Sequence, residues 1–466
     1  MSTQILRVSP TLAPSSLKSA IQPAVDMLLQ NVPVAIPTET VYGLAANATS
    51  PAAVQHIFRI KGRPSDNPLI VHVASREQAE QVLPEGVAFP ECYQPLIEKF
   101  WPGPLTILLP THASKIPTQV TAGLDTVGVR VPDHPIALAI LESAGIPLAA
   151  PSANTSSRPS PTSAEHVFQD LEGKVEMIVD GGECVVGVES TVINGLDGKR
   201  CVLRPGGIGL EQIRTCPGWE NVEMAQEKSR KDVHVNALDQ EQQWIDLLRQ
   251  RLQQAKFHPS QTMPQHLLDI SMDELKKDEV PMSPGMKYKH YSPKAPVILV
   301  ESPASSRISP SSKSNIETSS ASTQSSWNAI LGNNIQDRIQ REMRNLKQAG
   351  CHRIAYIHPF HCTTNRPKSS LSHVINSEDM LKPQYKPQEE SELGLEVIDA
   401  SLGETVEDAA RLLFKRLREA DEKNVDAVLV HIQQDEMGVG RAVMNRLRKA
   451  ATKRVVVSAN PPSENA

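Results

Sequence analysis

A strand, a glycine-ended helix and a second strand follow one another between residues 32 and 73. Val32–Ile36 reads as a strand stopped by Pro37. Ser50-Pro51 is a helix start, with serine as the cap and proline at the first helical position. Val54, Ile57, Phe58 and Ile60 recur at helical spacing, and Gly62 ends the run. Leu69–Val73 reads as the second strand. Thr38, Glu39, Thr40, Lys61, Arg63, Asn67 and His72 all sit at element ends or on the connections. A rigid scaffold presents its chemistry on such joints.

The same alternation continues to about residue 215. Leu105–Leu109, Val127–Val131, Pro147–Ala150, Met177–Asp180, Ser190–Asn194 and Cys201–Leu203 read as strands. Ser16–Gln30, Pro135–Ser143 and Ser163–Leu171 read as helices, the first with a late start or a kink at Pro23. Interleaving of this kind predicts an α/β domain over 16–216 built on a twisted mixed sheet. Residues 1–15 are expected as a frayed terminus. The alternative there is a weak mitochondrial targeting peptide, since the start is Ser-rich, has Arg7 and Lys18, and carries no acid before Asp26.

Residues 217–283 form a polar insertion, rich in Lys, Glu, Gln and Asp. It holds one amphipathic helix, Ala237–Lys256, with Leu238, Ile245, Leu248 and Leu252 along a face. A basic and aromatic string follows, and 284–293 reads as a linker. Strands at Val297–Val300, Ile354–His358, Leu395–Ser401, Ala427–Ile432 and Val455–Ser458 alternate with helices at Ile335–Gly350, Thr405–Asp421 and Gly440–Ala451. That predicts a smaller Rossmann-like domain with a parallel sheet over 294–460. Within it, the Ser- and Pro-rich tracts 303–326 and 362–394 cannot bury enough apolar area to order themselves. Hydrophobic residues make up 39% of the 466 and aromatics only 4%, which fits a chain that is not all core.

Several function classes are excluded. A net charge of −5 gives no bulk attraction to nucleic acid or an anionic membrane, so any such contact is a local patch. No apolar run is long enough to span a bilayer. The six cysteines form no Cys-x-x-Cys pair and read as reduced thiols. There is no phosphate-binding Gly-x-x-x-x-Gly-Lys-Ser/Thr loop and no His-Glu-x-x-His. His358, His361 and Cys362 are the one metal candidate, and Gly438-Val-Gly440 reads as a helix N-cap turn rather than half a dinucleotide fingerprint.

Lys61 and Arg63, flanking a glycine at a helix end, can converge on one polyanion; Lys61 there also complements the helix dipole. Ser152 and Asn154 follow a strand end, where α/β sheets bind ligands and where turns also favour these residues. Ser160, between two prolines, fits either description. Arg130 lies in an apolar strand and faces water or a buried anion, with Thr126 four residues earlier on the same face. Ser190 opens a strand. Arg204 ends one, ahead of Pro205-Gly-Gly207, where backbone can approach a ligand. His72 in its strand is by itself a core histidine.

Five motifs in order carry a resemblance: Pro-Thr-Glu-Thr-Val-Tyr-Gly-Leu at 37–44, Lys-x-Arg at 61–63, Asn-Pro-Leu at 67–69, Trp-Pro-Gly-Pro-Leu-Thr at 101–106 and Pro-Ser-Ala-Asn at 151–154. They resemble the YrdC-like family of threonylcarbamoyl-AMP synthases. Pro-Gly-Met-Lys-Tyr-Lys-His-Tyr at 284–291 and Gly-Arg-Ala-Val-Met-Asn-Arg-Leu-Arg-Lys-Ala at 440–450 are similar to its long, two-domain form. Lys289 stands where the family often has Arg. The resemblance implies a nucleotidyltransferase that makes L-threonylcarbamoyladenylate and pyrophosphate from L-threonine, bicarbonate and ATP, for threonylcarbamoyladenosine in tRNA. It implies Lys61 and Arg63 as catalytic. It places Thr40, His72, Arg130 and Ser190 near threonine, with Ala150 contributing its main chain. It places Arg63, Asn67, Thr126, Ser152, Asn154, Ser160 and Arg204 near ATP, with Tyr291 as a roof. Mg²⁺ would arrive with ATP, and no prosthetic group or protein metal site is implied. Hand-off to the tRNA threonylcarbamoyl transferase complex, a weak RNA contact, and a cytoplasmic location with a minor mitochondrial pool are further expectations. The competing readings are a non-catalytic RNA-binding module of the same fold and a carbamoyl-phosphate-dependent transferase, whose zinc-finger-like cysteines this chain lacks.

Overall fold

The computed structural model describes residues 2–198, 200–225, 242–250, 252, 291–302, 320–359 and 393–457. The first body is built on an eleven-stranded sheet. Its spatial order is Gln4–Arg7, Met177–Asp180, Val34–Ile36, Gly43–Asn47, Leu148–Ala149, Ile70–His72, Thr126–Arg130, Leu105–Pro110, Thr191–Asn194, Cys201–Arg204 and Glu223–Met224. Parallel and antiparallel neighbours alternate irregularly, as a mixed sheet requires. Helices Pro14–Leu29 and Pro135–Ala144 bury Ile21, Val25, Ile136 and Ile140 in one core. Helix Pro51–Lys61 buries Val54 and Ile57 in another. Ser50 caps that helix by accepting from the Ala53 N–H, and Gly62 ends it in the left-handed region at φ +60°.

Two local features aim the loops. Val34–Ile36 and Gly43–Asn47 pair antiparallel, Ile36 opposite Gly43, so residues 37–42 form the connection of a hairpin. Ile70–His72 and Thr126–Arg130 run parallel with His72 opposite Arg130, which sets those side chains beside each other at one end of the sheet.

The structure departs from the sequence reading in several places. Residues 4–7 are not frayed. They pair parallel with Met177–Asp180, a strand that would otherwise present its bonding edge to water. Helix Pro14–Leu29 starts early rather than late and continues through Pro23, which lies on its exposed face. Gly43–Asn47 is a strand without β-branched residues, specified by burial instead. The body extends past residue 216, because Trp219 is buried against Tyr93 and Glu223–Met224 pairs with Cys201–Val202.

The second body has a five-stranded, all-parallel sheet, ordered Glu396–Ser401, Arg353–His358, Ala427–Gln433, Val297–Ser302 and Lys453–Val456. Along the strand at Val297, alternate side chains enter two different cores: Val297 and Leu299 on one side, Ile298 and Val300 on the other. A parallel sheet is covered on both faces in this way. Helices Val406–Glu422 and Gly440–Ala450 fill one core and Ser320–Gln348 the other. The helix from Ser320 occupies part of the tract expected to stay unordered; 303–319 and 360–392, with His361 and Cys362, lie outside the described residues. Residues 242–250 are helical and bury Ile245 and Leu248 in the second core, so this part of the insertion belongs to the second body. Gly438 and Val439 form the turn that starts helix Gly440–Ala450, with Gly438 at φ +51°. No described helix is long and apolar enough to cross a membrane.

The two bodies are in close contact. Gly187, at φ +76°, lies so near helix Val406–Glu422 that a Cβ there would fall 2.3 Å from the Arg411 Cα. Ion pairs Asp170–Arg418 (3.0 Å) and Glu183–Lys415 (2.9 Å) cross the same boundary.

Candidate functional site

The hairpin connection is rigid because one hydroxyl organises it. Thr38 Oγ1 donates to the Val41 carbonyl at 2.7 Å and accepts from the Thr40 and Val41 N–H groups at 3.2 and 3.3 Å. Thr40 Oγ1 lies 2.8 Å from it. Arg130 then reaches this loop from the sheet. Its Nε donates to the Gly103 carbonyl at 3.0 Å, Nη1 to Thr40 Oγ1 at 2.8 Å, and Nη2 to Glu39 Oε1. Both members of that ion pair are buried. The second carboxylate oxygen of Glu39 is buried with no hydrogen-bond partner. His72, beside Arg130, is also buried and its Nδ1 has no partner. Burial, reinforced by the Arg130 charge, pulls its pKa down to about 3, so the imidazole is neutral at physiological pH.

Ser190 Oγ lies 2.8 Å from Thr106 Oγ1. Arg204 clasps the same residue, donating from Nη2 to the Ser190 carbonyl at 2.9 Å. Burial lowers Arg204 to about 10, which leaves it charged at neutral pH. Ser160 donates to Glu189 Oε1 at 2.5 Å. The other oxygen of Glu189 meets Arg446 Nη2 at 2.9 Å and Nε at 3.0 Å.

Lys61 is engaged by the loop that follows the strand Leu148–Ala149. Its ammonium is buried and donates to the carbonyls of Ser152 and Asn154, the latter at 2.6 Å. Burial first, then the nearby Arg63, holds its pKa well below the ordinary lysine value. Arg63 donates from Nε to the Asn67 carbonyl at 3.2 Å and from Nη2 to the Pro68 carbonyl at 2.8 Å. Asn154 Nδ2 bridges the carbonyls of Thr155 and Arg158 at 2.8 and 2.9 Å. Tyr291 covers the cleft with backbone φ +69°; its ring stacks on Phe414 at 5.3 Å between centroids.

Eleven of the residues named from sequence line one cleft: Thr40, Arg63, His72, Arg130, Ala150, Ser152, Asn154, Ser160, Ser190, Arg204 and Tyr291. Three do not. Lys61 sits behind the wall, gripping the Ser152–Asn154 loop. Asn67 is buried off the wall, and it is its carbonyl that Arg63 uses. Thr126 pairs with Pro110 at the far end of its strand. Four residues of strand separate it from Arg130 by about 13 Å. Residues the sequence reading did not assign are Thr38, Glu39, Arg158, Glu189 and Arg446. Glu39 and Thr38 lie within the 37–44 motif and Glu189 beside Ser190, so proximity was a signal. Arg158, clamped by Asp170 at 2.7 Å and by Asp421 of the second body at 3.0 Å, gave none. Among the described residues, no group of three His, Cys, Asp or Glu could hold a metal ion.

Residues 26–206 match a family model described as telomere recombination, and residues 248–452 match the threonylcarbamoyl-AMP synthase C-terminal domain. The chain is 36% identical over 427 residues to threonylcarbamoyl-AMP synthase of Pyrococcus abyssi, covering 91% of each chain. It is 36% identical over 436 residues to the enzyme of that name from Bacillus subtilis, covering 94% of each. The Schizosaccharomyces pombe relative is 42% identical over 310 residues, 62% of this chain and 65% of the relative. A crystal structure of P. abyssi Sua5 complexed with L-threonine superposes with a TM-score of 0.67 at 34% identity, covering 98% of this chain and all of that one (100%).

Proposed function

This chain belongs to the two-domain threonylcarbamoyl-AMP synthase family, and from that premise we propose how its own residues run the reaction. The enzyme converts L-threonine, bicarbonate and ATP to L-threonylcarbamoyladenylate and pyrophosphate, the adenylate serving threonylcarbamoyladenosine modification of tRNA. The observation that carries the assignment of residues is that all of them line one cleft, which we divide by the substrate each would meet. Thr40, His72, Arg130 and Ser190 are assigned to a compact half for threonine, and Arg63, Ser152, Asn154, Ser160 and Arg204 to the other, for ATP.

In the compact half, the threonine carboxylate binds Arg130, taking over part of the charge that Glu39 supplies in the free protein. Threonine as the amino acid is supported by the P. abyssi structure, which was solved complexed with it. Neutral His72 and the Ala150 main chain flank the amine and hydroxyl. Bicarbonate carbon bonds to the threonine nitrogen with loss of water, giving a carbamate. A carbamate oxygen then attacks the ATP α-phosphorus, and the bond to the β-phosphate bridging oxygen breaks with its electron pair leaving on pyrophosphate. No side chain becomes covalently attached; positioning and charge neutralisation lower the barrier. Arg63 and Arg204 offset charge on the α-phosphate and the departing pyrophosphate. Lys61 acts by holding the Ser152–Asn154 loop at the nucleotide. Mg²⁺ arrives on ATP, held by phosphates and water. Tyr291 shields the adenylate from hydrolysis. Hand-off to a tRNA threonylcarbamoyl transferase complex, a weak RNA contact, and a cytoplasmic location with a minor mitochondrial pool belong to the same proposal.

The test is incubation with ATP, labelled bicarbonate and L-threonine, followed by detection of pyrophosphate and a labelled adenylate. Pyrophosphate release that does not depend on threonine would refute the reading.

A further inference from the structure

Among the side chains by which the second body braces the cleft, Arg446 touches the most elements of its wall. Arg446 projects from helix Gly440–Ala450 and is fully buried. Its Nε and Nη2 meet Glu189 Oε2 at 3.0 and 2.9 Å, and its Nη1 donates to the Pro205 carbonyl. Its guanidinium carbon lies 5.6 Å from the centre of the Tyr291 ring. One group therefore touches the residue before Ser190, the residue after Arg204, and the roof. The chain at 189–191 and the turn at 205–207 are already pressed together: a Cβ on Gly206 would lie 2.2 Å from the Ser190 carbonyl carbon.

Glu189 is an anion in the cleft lining, bonded to Ser160, a residue assigned to ATP. Left uncompensated, it would repel a triphosphate and be costly to bury. Burial is the largest single influence and opposes its charge, but Arg446, Arg204 and the Ser160 hydrogen bond together outweigh it and hold the carboxyl below its ordinary pKa, so it stays ionised. Because Glu189 stays ionised, Ser160 commits its hydroxyl proton to it. The Ser160 oxygen then offers only lone pairs to the cleft, which suits a ribose hydroxyl or an adenine amine and not a phosphate oxygen.

We propose that Arg446 is a positioning residue for the nucleotide: by neutralising Glu189, orienting Ser160 and holding the 205–207 turn, the second body sets the affinity of the cleft for ATP. This rests on the functional reading above and deepens it by giving the second domain a defined part in nucleotide binding.

The experiment uses the full chain. Binding of a non-hydrolysable ATP analogue and of L-threonine is measured by calorimetry, alongside KM for each substrate, in wild type, Arg446→Met, Glu189→Gln and the double variant. In Arg446→Met, ATP affinity falls about tenfold or more, as loss of one partner of a buried charged pair predicts, while threonine affinity stays within about twofold. In the double variant the stranded anion is gone, and ATP affinity returns to within about threefold of wild type. That rescue would not follow from a merely structural role. Unchanged ATP affinity in Arg446→Met overturns the proposal, as does a parallel loss of both ligands that Glu189→Gln fails to rescue. If Arg446→Met does not fold, the double variant decides: near-wild-type ATP binding supports the proposal, and threonine binding without ATP binding overturns it. Absence of threonine-dependent pyrophosphate release in wild type would count against the functional reading alone, since the analogue binding is read without turnover.

Discussion

Glu39→Gln probes how the cleft balances its charge before substrate arrives. Glu39 and Arg130 are each about 4% exposed at the side chain, so water does little to screen the pair. Removing one partner of a buried ion pair costs about 3–5 kcal/mol. Glutamine keeps an oxygen to accept from Arg130 Nη2, which places the loss near the lower end, about 3 kcal/mol. At about 2–4 °C per kcal/mol for a body of roughly two hundred residues, the melting temperature should drop by about 6–12 °C. Threonine brings a carboxylate to the guanidinium that the variant has left uncompensated. Its stabilising effect should therefore be larger in the variant than in wild type, where a ligand at 100 times its Kd adds about 2.7 kcal/mol. The assay is a series of thermal melts across a threonine titration without ATP. A variant melting within about 2 °C of wild type would show that the pair contributes little. A threonine-induced rise no larger than wild type would show that the substrate carboxylate does not meet Arg130.

Three further outcomes are expected. Lys61→Met removes a buried ammonium but leaves two carbonyls without a donor, offsetting effects of about 1–3 kcal/mol per hydrogen bond; stability changes little while turnover falls about a hundredfold, the usual effect of a 1 Å misplacement, and a steady-state assay paired with a melt separates the two, full activity being the refuting result. Gly187→Ala would put a Cβ into the Arg411 backbone at a position already at φ +76°; the bodies should separate, seen as faster proteolysis between them and lower activity, whereas wild-type behaviour on both counts would mean the contact is dispensable. His72 and His166 are held neutral, near pKa 3 and 4, chiefly by burial and then by Arg130 and Arg418 respectively. Below about pH 6.5 the unfolded chain therefore binds protons that the folded one refuses, and stability falls with pH by up to about 1.4 kcal/mol per unit for each histidine. Denaturant unfolding at pH 7 and pH 5 measures this, and His72→Gln should shallow the slope.

Most of the cleft was legible in sequence because its residues lie where strands end. Thr40, His72, Arg130 and Ser152 each follow or close a short apolar run and Ser190 opens one, and periodicity finds such runs. Two kinds of feature were not legible. Gly43–Asn47 carries no β-forming residues and owes its strand to neighbours on both sides. Thr126 shows the converse: the face was read correctly from strand geometry, but position along the strand, which decides what a side chain can touch, depends on where the sheet meets the loop. The second kind is long-range charge pairing. Arg446 is 257 residues from Glu189, and Arg418 is 248 from Asp170. Arg446 lies inside the 440–450 motif, but nothing local tells it from Arg441 or Arg448, and nothing local tells Arg418 from Arg411 or Arg416.

Those distant arginines follow from a requirement on any cleft built for two anionic substrates. Its cations must be buried before the anions arrive, and an uncompensated buried charge is too costly to keep. Here the compensation comes in separable pieces. Glu39 serves Arg130 within the first body. Asp170 serves Arg158 together with Asp421, and Arg418 in turn shares Asp170. Glu189, itself an anion in the cleft lining, is balanced from outside by Arg446. Binding is then an exchange of partners rather than the filling of an empty electropositive hole. Two of the compensating guanidinium groups, Arg418 and Arg446, are supplied by the second body. A first body isolated from the second would retain Glu189 and Asp170 without those guanidinium partners. The second sheet is thus part of the electrostatic balance of the cleft, and its contribution enters through helices Val406–Glu422 and Gly440–Ala450.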